Sequence, residues 1–73
     1  MANVTTKEIG MWLSQKRKEH GFTQQQVADA LGMAKSMVSR WESGKRTIYA
    51  DQFIAYCHAI GLSSSEMQEI IRL

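Results

Sequence analysis

Lys35, Ser36, Ser39 and Arg40 fall at steps that place them on one side of a helix, with Val38 and Trp41, three residues apart, on the other. Two of the four are cations, two are hydroxyls, and no acid interrupts them. Such a face can donate hydrogen bonds to phosphate oxygens or to the edges of bases, but it holds no group for proton abstraction or nucleophilic attack. A lysine in the first turn opposes the helix macrodipole by about 0.3–1 kcal/mol, a placement that is easier to understand if Lys35 faces phosphate or guanine. The alternative is an ordinary solvated helix face.

Other chemistries find no support in the pattern. His20, His58, Cys57, Asp29 and Asp51 show neither metal-ligand nor triad spacing, and no phosphate loop of the G-x-x-x-x-G-K-[ST] form occurs. We therefore expect no enzyme activity, no metal, no cofactor and no small-molecule ligand. Cys57 is the single cysteine, which excludes an internal disulfide; its apolar neighbours predict a small core residue.

The chain has 73 residues and a net charge of +2, distributed unevenly. Residues 1–49 carry eight basic and four acidic side chains, whereas residues 50–73 carry one and three, so a basic part is followed by an acidic one. This asymmetry suits a polyanion-facing half joined to a partner-facing half. The length predicts one domain over residues 1–73, small enough that self-association is a plausible source of further stability. No apolar run is long enough to span a bilayer, and MANVTTKEIG lacks the layout of a signal peptide, so the expected location is the cytoplasm of a bacterial or phage-infected cell, at the nucleoid.

The elements that must position the polar face are all helical, since the sequence has no proline and no sustained β-type alternation. Thr5 and Glu8 have capping-box spacing and open a helix running to about Glu19, with Ile9, Trp12 and Leu13 as its apolar stripe and Gly10 as a mid-helix cost of about 1 kcal/mol. Thr23 and Gln26 open a short second helix that buries Val27, Ala28 and Leu31, and Gly32 stops it. A third helix runs from about Ala34 to Ser43. A loop at residues 43–47 leads to a fourth helix over residues 51–60, with Phe53, Ile54, Cys57 and Ile60 at helical spacing. Ser63 and Glu66 then open a fifth helix, striped with Met67, Ile70 and Ile71, that ends at Leu73. The fold class is all-α, a five-helix bundle.

Two short helices joined at a glycine turn meet the geometric needs of a helix-turn-helix. The stretch FTQQQVADALGMAKSMVSRWESGKR, with T-Q opening the first of these helices, V-A in its middle, L-G at the turn and V-S-x-W-E-x-G through the second, closely resembles the phage repressor and Cro family of DNA-binding domains. The resemblance covers roughly residues 6–62. It implies a lambda repressor-like fold and sequence-specific regulation of transcription, as in a Cro-like regulator or a small controller or repressor protein.

Matched position by position, the resemblance makes Gln24 a phosphate-binding residue that also braces the recognition helix. It makes Ala34, Lys35, Ser36, Ser39 and Arg40 base-facing. Arg40 suits bidentate contact with guanine, and Met37 or Ala34 suits contact with a thymine methyl. Lys45 and Arg46 match a loop that touches the sugar-phosphate backbone, and Arg17 and Glu42 match a structural ion pair. Ala34 departs from the family's usual capping Ser or Thr. The implied partner is double-stranded DNA, bound by a homodimer at a pseudo-palindromic operator. Leu62, Met67, Ile70, Ile71 and Leu73 are the expected dimer contact, unless they close the monomer core instead. A competing possibility is an antitoxin or adaptor that retains the helix-turn-helix for protein interaction.

Overall fold

Three capping boxes that the spacing predicts form in the computed structural model, which describes residues 4–71. Thr5 Oγ1 accepts from Glu8 N–H at 3.1 Å while Glu8 Oε1 accepts from Thr5 N–H at 3.1 Å. Thr23 and Gln26 exchange the same pair at 3.1 and 2.9 Å, and Ser63 and Glu66 at 3.2 and 3.3 Å. Each box satisfies two main-chain donors that a bare helix end would leave open. The described residues form five helices: α1 (Thr6–Glu19), α2 (Gln24–Leu31), α3 (Lys35–Ser43), α4 (Ala50–Ala59) and α5 (Ser64–Ile71). The fourth helix starts and ends one residue earlier than its apolar spacing predicts, and Leu73 lies outside the described residues.

Helix α3 is the hub: it packs against both α1 and α2, and α2 also meets α4. The core runs through the centre of this arrangement, with Leu13 of α1, Val27 and Ala28 of α2, Val38 and Trp41 of α3, and Tyr56 and Cys57 of α4 all essentially inaccessible. Fully burying each large apolar side chain contributes about 1.5–3 kcal/mol, so the unreactive side of α3 is what anchors its polar side. Two glycines make the close approaches possible. Gly10 lets α1 settle directly on the α3 backbone, and Gly32 adopts φ +66° to reverse the chain between α2 and α3.

One element differs from its predicted face. Helical spacing groups Ile54 with Phe53, Cys57 and Ile60, but Ile54 is 48% exposed, and Tyr56 takes the interior place instead. The fourth helix presents Tyr56 and Cys57 to the core, with Ile60 at its C-cap buried beside them, and Ile54 lies to the side of that arc.

Candidate nucleic-acid interface

The base-facing candidates Ala34, Lys35, Ser36, Ser39 and Arg40 are exposed together on α3. Met37 is different, half-buried and packed against the core, so its side chain is shared between the outer face and the interior. Ala34 occupies the N-cap of α3 and makes no side-chain capping bond, as its residue type dictates. The first-turn N–H groups of α3 therefore lack a side-chain cap, beside the exposed Lys35 and Ser36.

Glu42, at the inner side of the same helix, accepts side-chain hydrogen bonds from three other helices. Arg17 Nε donates to its Oε2 at 2.8 Å and Arg17 Nη2 to its Oε1 at 3.0 Å, a two-pronged guanidinium–carboxylate pair between α1 and α3. Gln24 Nε2, from the start of α2, donates to Oε1 at 3.0 Å. The Tyr56 hydroxyl, from α4, donates to Oε2. Arg17 also reaches across the turn before α2, where Nη1 donates to the Phe22 carbonyl at 2.7 Å. Four helices thus meet on one carboxylate.

Burial alone pushes the Glu42 carboxyl upward, but the hydrogen bonds from Arg17, Tyr56 and Gln24 outweigh it and hold the group below its ordinary 4.5. The Tyr56 hydroxyl moves far upward, first because it is buried and then because it donates to a carboxylate. The expected Arg17–Glu42 pair is present, and Gln24 braces α3 through the same carboxylate. Tyr56 is the participant that family matching did not single out. Its signal was a polar-tipped aromatic at helical spacing with Phe53 and Ile60, since a buried tyrosine hydroxyl needs a partner.

Beyond α3 the chain turns at Gly44, with φ +78°, into the exposed Lys45 and Arg46. The main-chain N–H groups of both residues donate to the Arg40 carbonyl, at 3.0 and 3.3 Å, so the loop closes the carboxyl end of α3 and leaves the two side chains free to face solvent.

Of the five residues expected at a dimer contact, Leu62, Met67 and Ile70 have described side chains. Leu62 and Ile70 are 9% and 7% exposed and belong to the core of a single chain, and Met67 packs against it half-buried. Ile71 lies in α5 with its side chain outside the described part, as Leu73 is altogether. Sequence spacing did not indicate the ties of α5 to the end of α1, where Lys16 meets Glu69 and His20 meets Glu66, both at 2.8 Å. Exposed large apolar side chains are Met11 (60%) on α1, Tyr49 (66%) and Ile54 (48%), and Ile54 edges a groove of about 500 Å³ lined by Val4, Ile9, Ile48, Phe53 and Met67 among others. Among the described residues no cluster of three or more His, Cys, Asp or Glu could hold a metal ion, and no helix is long and apolar enough to cross a membrane.

The helix-turn-helix family model matches residues 13–67, which span α2, α3, the basic loop and α4. This chain belongs to the helix-turn-helix family, of the Cro/C1 type. A DNA-binding regulator of transcription is what that membership makes it. The fold of this helix-turn-helix regulator is also that of the clp gene regulator ClgR from C. glutamicum, whose crystal structure superposes with a TM-score of 0.82 at 22% identity, over 97% of this chain and 94% of that one. Comparison with curated protein sequences returned no match.

Proposed function

We propose that this helix-turn-helix regulator reads a pseudo-palindromic operator as a homodimer, with α3 of each copy in the major groove. The observation that carries this reading is the two-sidedness of α3. Its inner side is fixed by Val38, Trp41 and the four-helix network on Glu42, and its outer side presents Lys35, Ser36, Ser39 and Arg40 without an acid among them. Rigid backing with exposed donors is what selective base contact requires. Arg40 is assigned to guanine, Lys35, Ser36 and Ser39 to neighbouring base edges, and Ala34 with the outer part of Met37 to a thymine methyl. Gln24, Lys45 and Arg46 are assigned to phosphates, where they set register and affinity.

Dimerisation is supported by size and by surface. Half-sites lie about 34 Å apart on B-DNA, and a body of 34 × 25 × 20 Å placed at each brings two copies side by side. Because Leu62 and Ile70 serve the core, we place the contact at the exposed Tyr49 and Ile54 and at the rim of the adjoining groove, which the half-buried Met67 of α5 also lines. A gel-shift series at rising salt tests the DNA-binding reading. Sequence-selective binding that weakens log-linearly with salt is expected, and absence of binding to any duplex would sink it in favour of a protein-interaction module.

A further inference from the structure

The amino end of α1 and the carboxyl end of α3 meet at one rim of the molecule. A Cβ built on Gly44 would lie 2.9 Å from Lys7 Cα, 3.1 Å from Lys7 Cβ and 3.4 Å from Lys7 Cγ, so the root of the Lys7 side chain rests on the residue that opens the basic loop. Lys45 and Arg46 follow Gly44 directly, and all three cations are exposed. Among the described residues none of the three forms an ion pair. Glu8, the acid next to Lys7, is engaged elsewhere, with its Oε1 accepting from Thr5 N–H at 3.1 Å.

We propose that Lys7 is a third phosphate contact, acting with Lys45 and Arg46 as one cationic rim on the DNA backbone. Three uncompensated positive charges gathered around one turn repel one another, and a polyanion laid across them relieves that repulsion. Lysine suits the role because its flexible stem carries a point charge that meets a phosphate without demanding fixed geometry. Lys7 stands outside the family-matched span of residues 13–67, which is why motif matching alone would pass over it. Its contribution is to affinity and not to base choice.

A structural alternative exists, because cations beside the carboxyl end of α3 also complement its dipole. The salt dependence of binding separates the two. Full-length wild type, Lys7→Ala, Lys7→Gln and Lys7→Arg are titrated with mixed-sequence duplex DNA between about 50 and about 200 mM salt, with thermal unfolding followed in parallel. The expected result is a loss of about three- to tenfold in affinity for Lys7→Ala and Lys7→Gln, a log–log salt slope shallower by about 0.9, an unchanged melting temperature, and restoration of both affinity and slope in Lys7→Arg. A Lys7→Ala slope equal to that of wild type overturns the inference, and a lowered melting temperature with the slope retained assigns Lys7 to the α3 dipole instead. The inference rests on DNA binding by the protein: wild type that binds no duplex removes that reading itself, whereas salt-dependent wild-type binding with an unaltered variant slope removes only the role of Lys7.

Discussion

A Cβ at Gly10 would collide with the main-chain oxygen of Trp41 and fall 2.8 Å from that of Glu42. Both obstacles are backbone, so the clash cannot be relieved by turning a side chain. In an exposed helix Gly→Ala stabilises by up to about 1 kcal/mol, but here α1 would have to lift off α3. Gly10→Ala should therefore destabilise the protein by about 3 kcal/mol or more, and urea unfolding monitored by circular dichroism checks it. A neutral or stabilising result would mean that α1 sits farther from α3 than the structure places it.

The carboxylate of Glu42 should behave as a shared anchor. Arg17→Met leaves a buried carboxylate without its cation and should cost about 3–5 kcal/mol. Tyr56→Phe removes one charge-assisted hydrogen bond at nearly constant volume and should cost about 1.5–3 kcal/mol. Replacing Arg17 and Glu42 together by apolar residues should recover only part of the loss, because Gln24 and the Tyr56 hydroxyl then lose their acceptor. Measured losses that add independently across these substitutions would contradict a common network.

Acid should weaken the same anchor. The folded-state pKa of Glu42 lies below its ordinary 4.5, so the stability it contributes is present above that value and is lost as the pH falls through the folded pKa. The exposed Glu19 and the half-buried Glu66, each at the protein surface, shift in the same direction and add less. Tyr56 is displaced the opposite way: its contribution is complete below 10.0 and is shed as the pH climbs beyond that. Unfolding free energies measured from pH 7 to pH 3 should be level down to about 4.5 and decline below it. A flat profile to pH 3 would show that Glu42 gains nothing from its partners.

Cys57 is fully buried, and burial pushes its thiol up to about 11. Since the thiolate is the reactive form, a thiol reagent at neutral pH should label the native protein far more slowly than the urea-unfolded chain, by two orders of magnitude or thereabouts. Comparable rates would place Cys57 outside the core.

The exposed Ile54 offers a test of self-association that leaves the core alone. Ile54→Asp should keep the fold and shift sedimentation toward the monomer, while Ile70→Asp, at a 7% exposed position, should unfold the chain. A wild-type protein that sediments as a monomer at all concentrations, free and on DNA, would contradict the homodimer.

Much of this fold is legible in the sequence because local rules and tertiary packing agree. Thr5, Thr23 and Ser63 cap their helices with partners three residues on, Gly32 turns the chain, and Val38 with Trp41 fixes which side of α3 faces inward. The parts that are not legible are decided by contacts distant in sequence. Helical spacing allows either Ile54 or Tyr56 to face inward, and the outcome turns on a hydroxyl finding Glu42 on another helix. Likewise the apolar stripe of α5 looks the same whether it meets a second copy or its own core, and the pairing of Lys16 with Glu69 and His20 with Glu66 lays it against α1. Met37 straddles both roles because α3 is too slender to separate its faces fully.

In the proposed complex the exposed face of α3 selects bases while the flanking cations hold the backbone. Selection of bound fragments from a random duplex pool by the wild type and by Arg40→Ala tests it most directly. The wild type should enrich a pseudo-palindrome with half-sites about one helical turn apart, and Arg40→Ala should relax preference at one position in each half-site, at a cost of about 1–3 kcal/mol. Enrichment of no sequence by the wild type, or an identical pattern from both proteins, would contradict it.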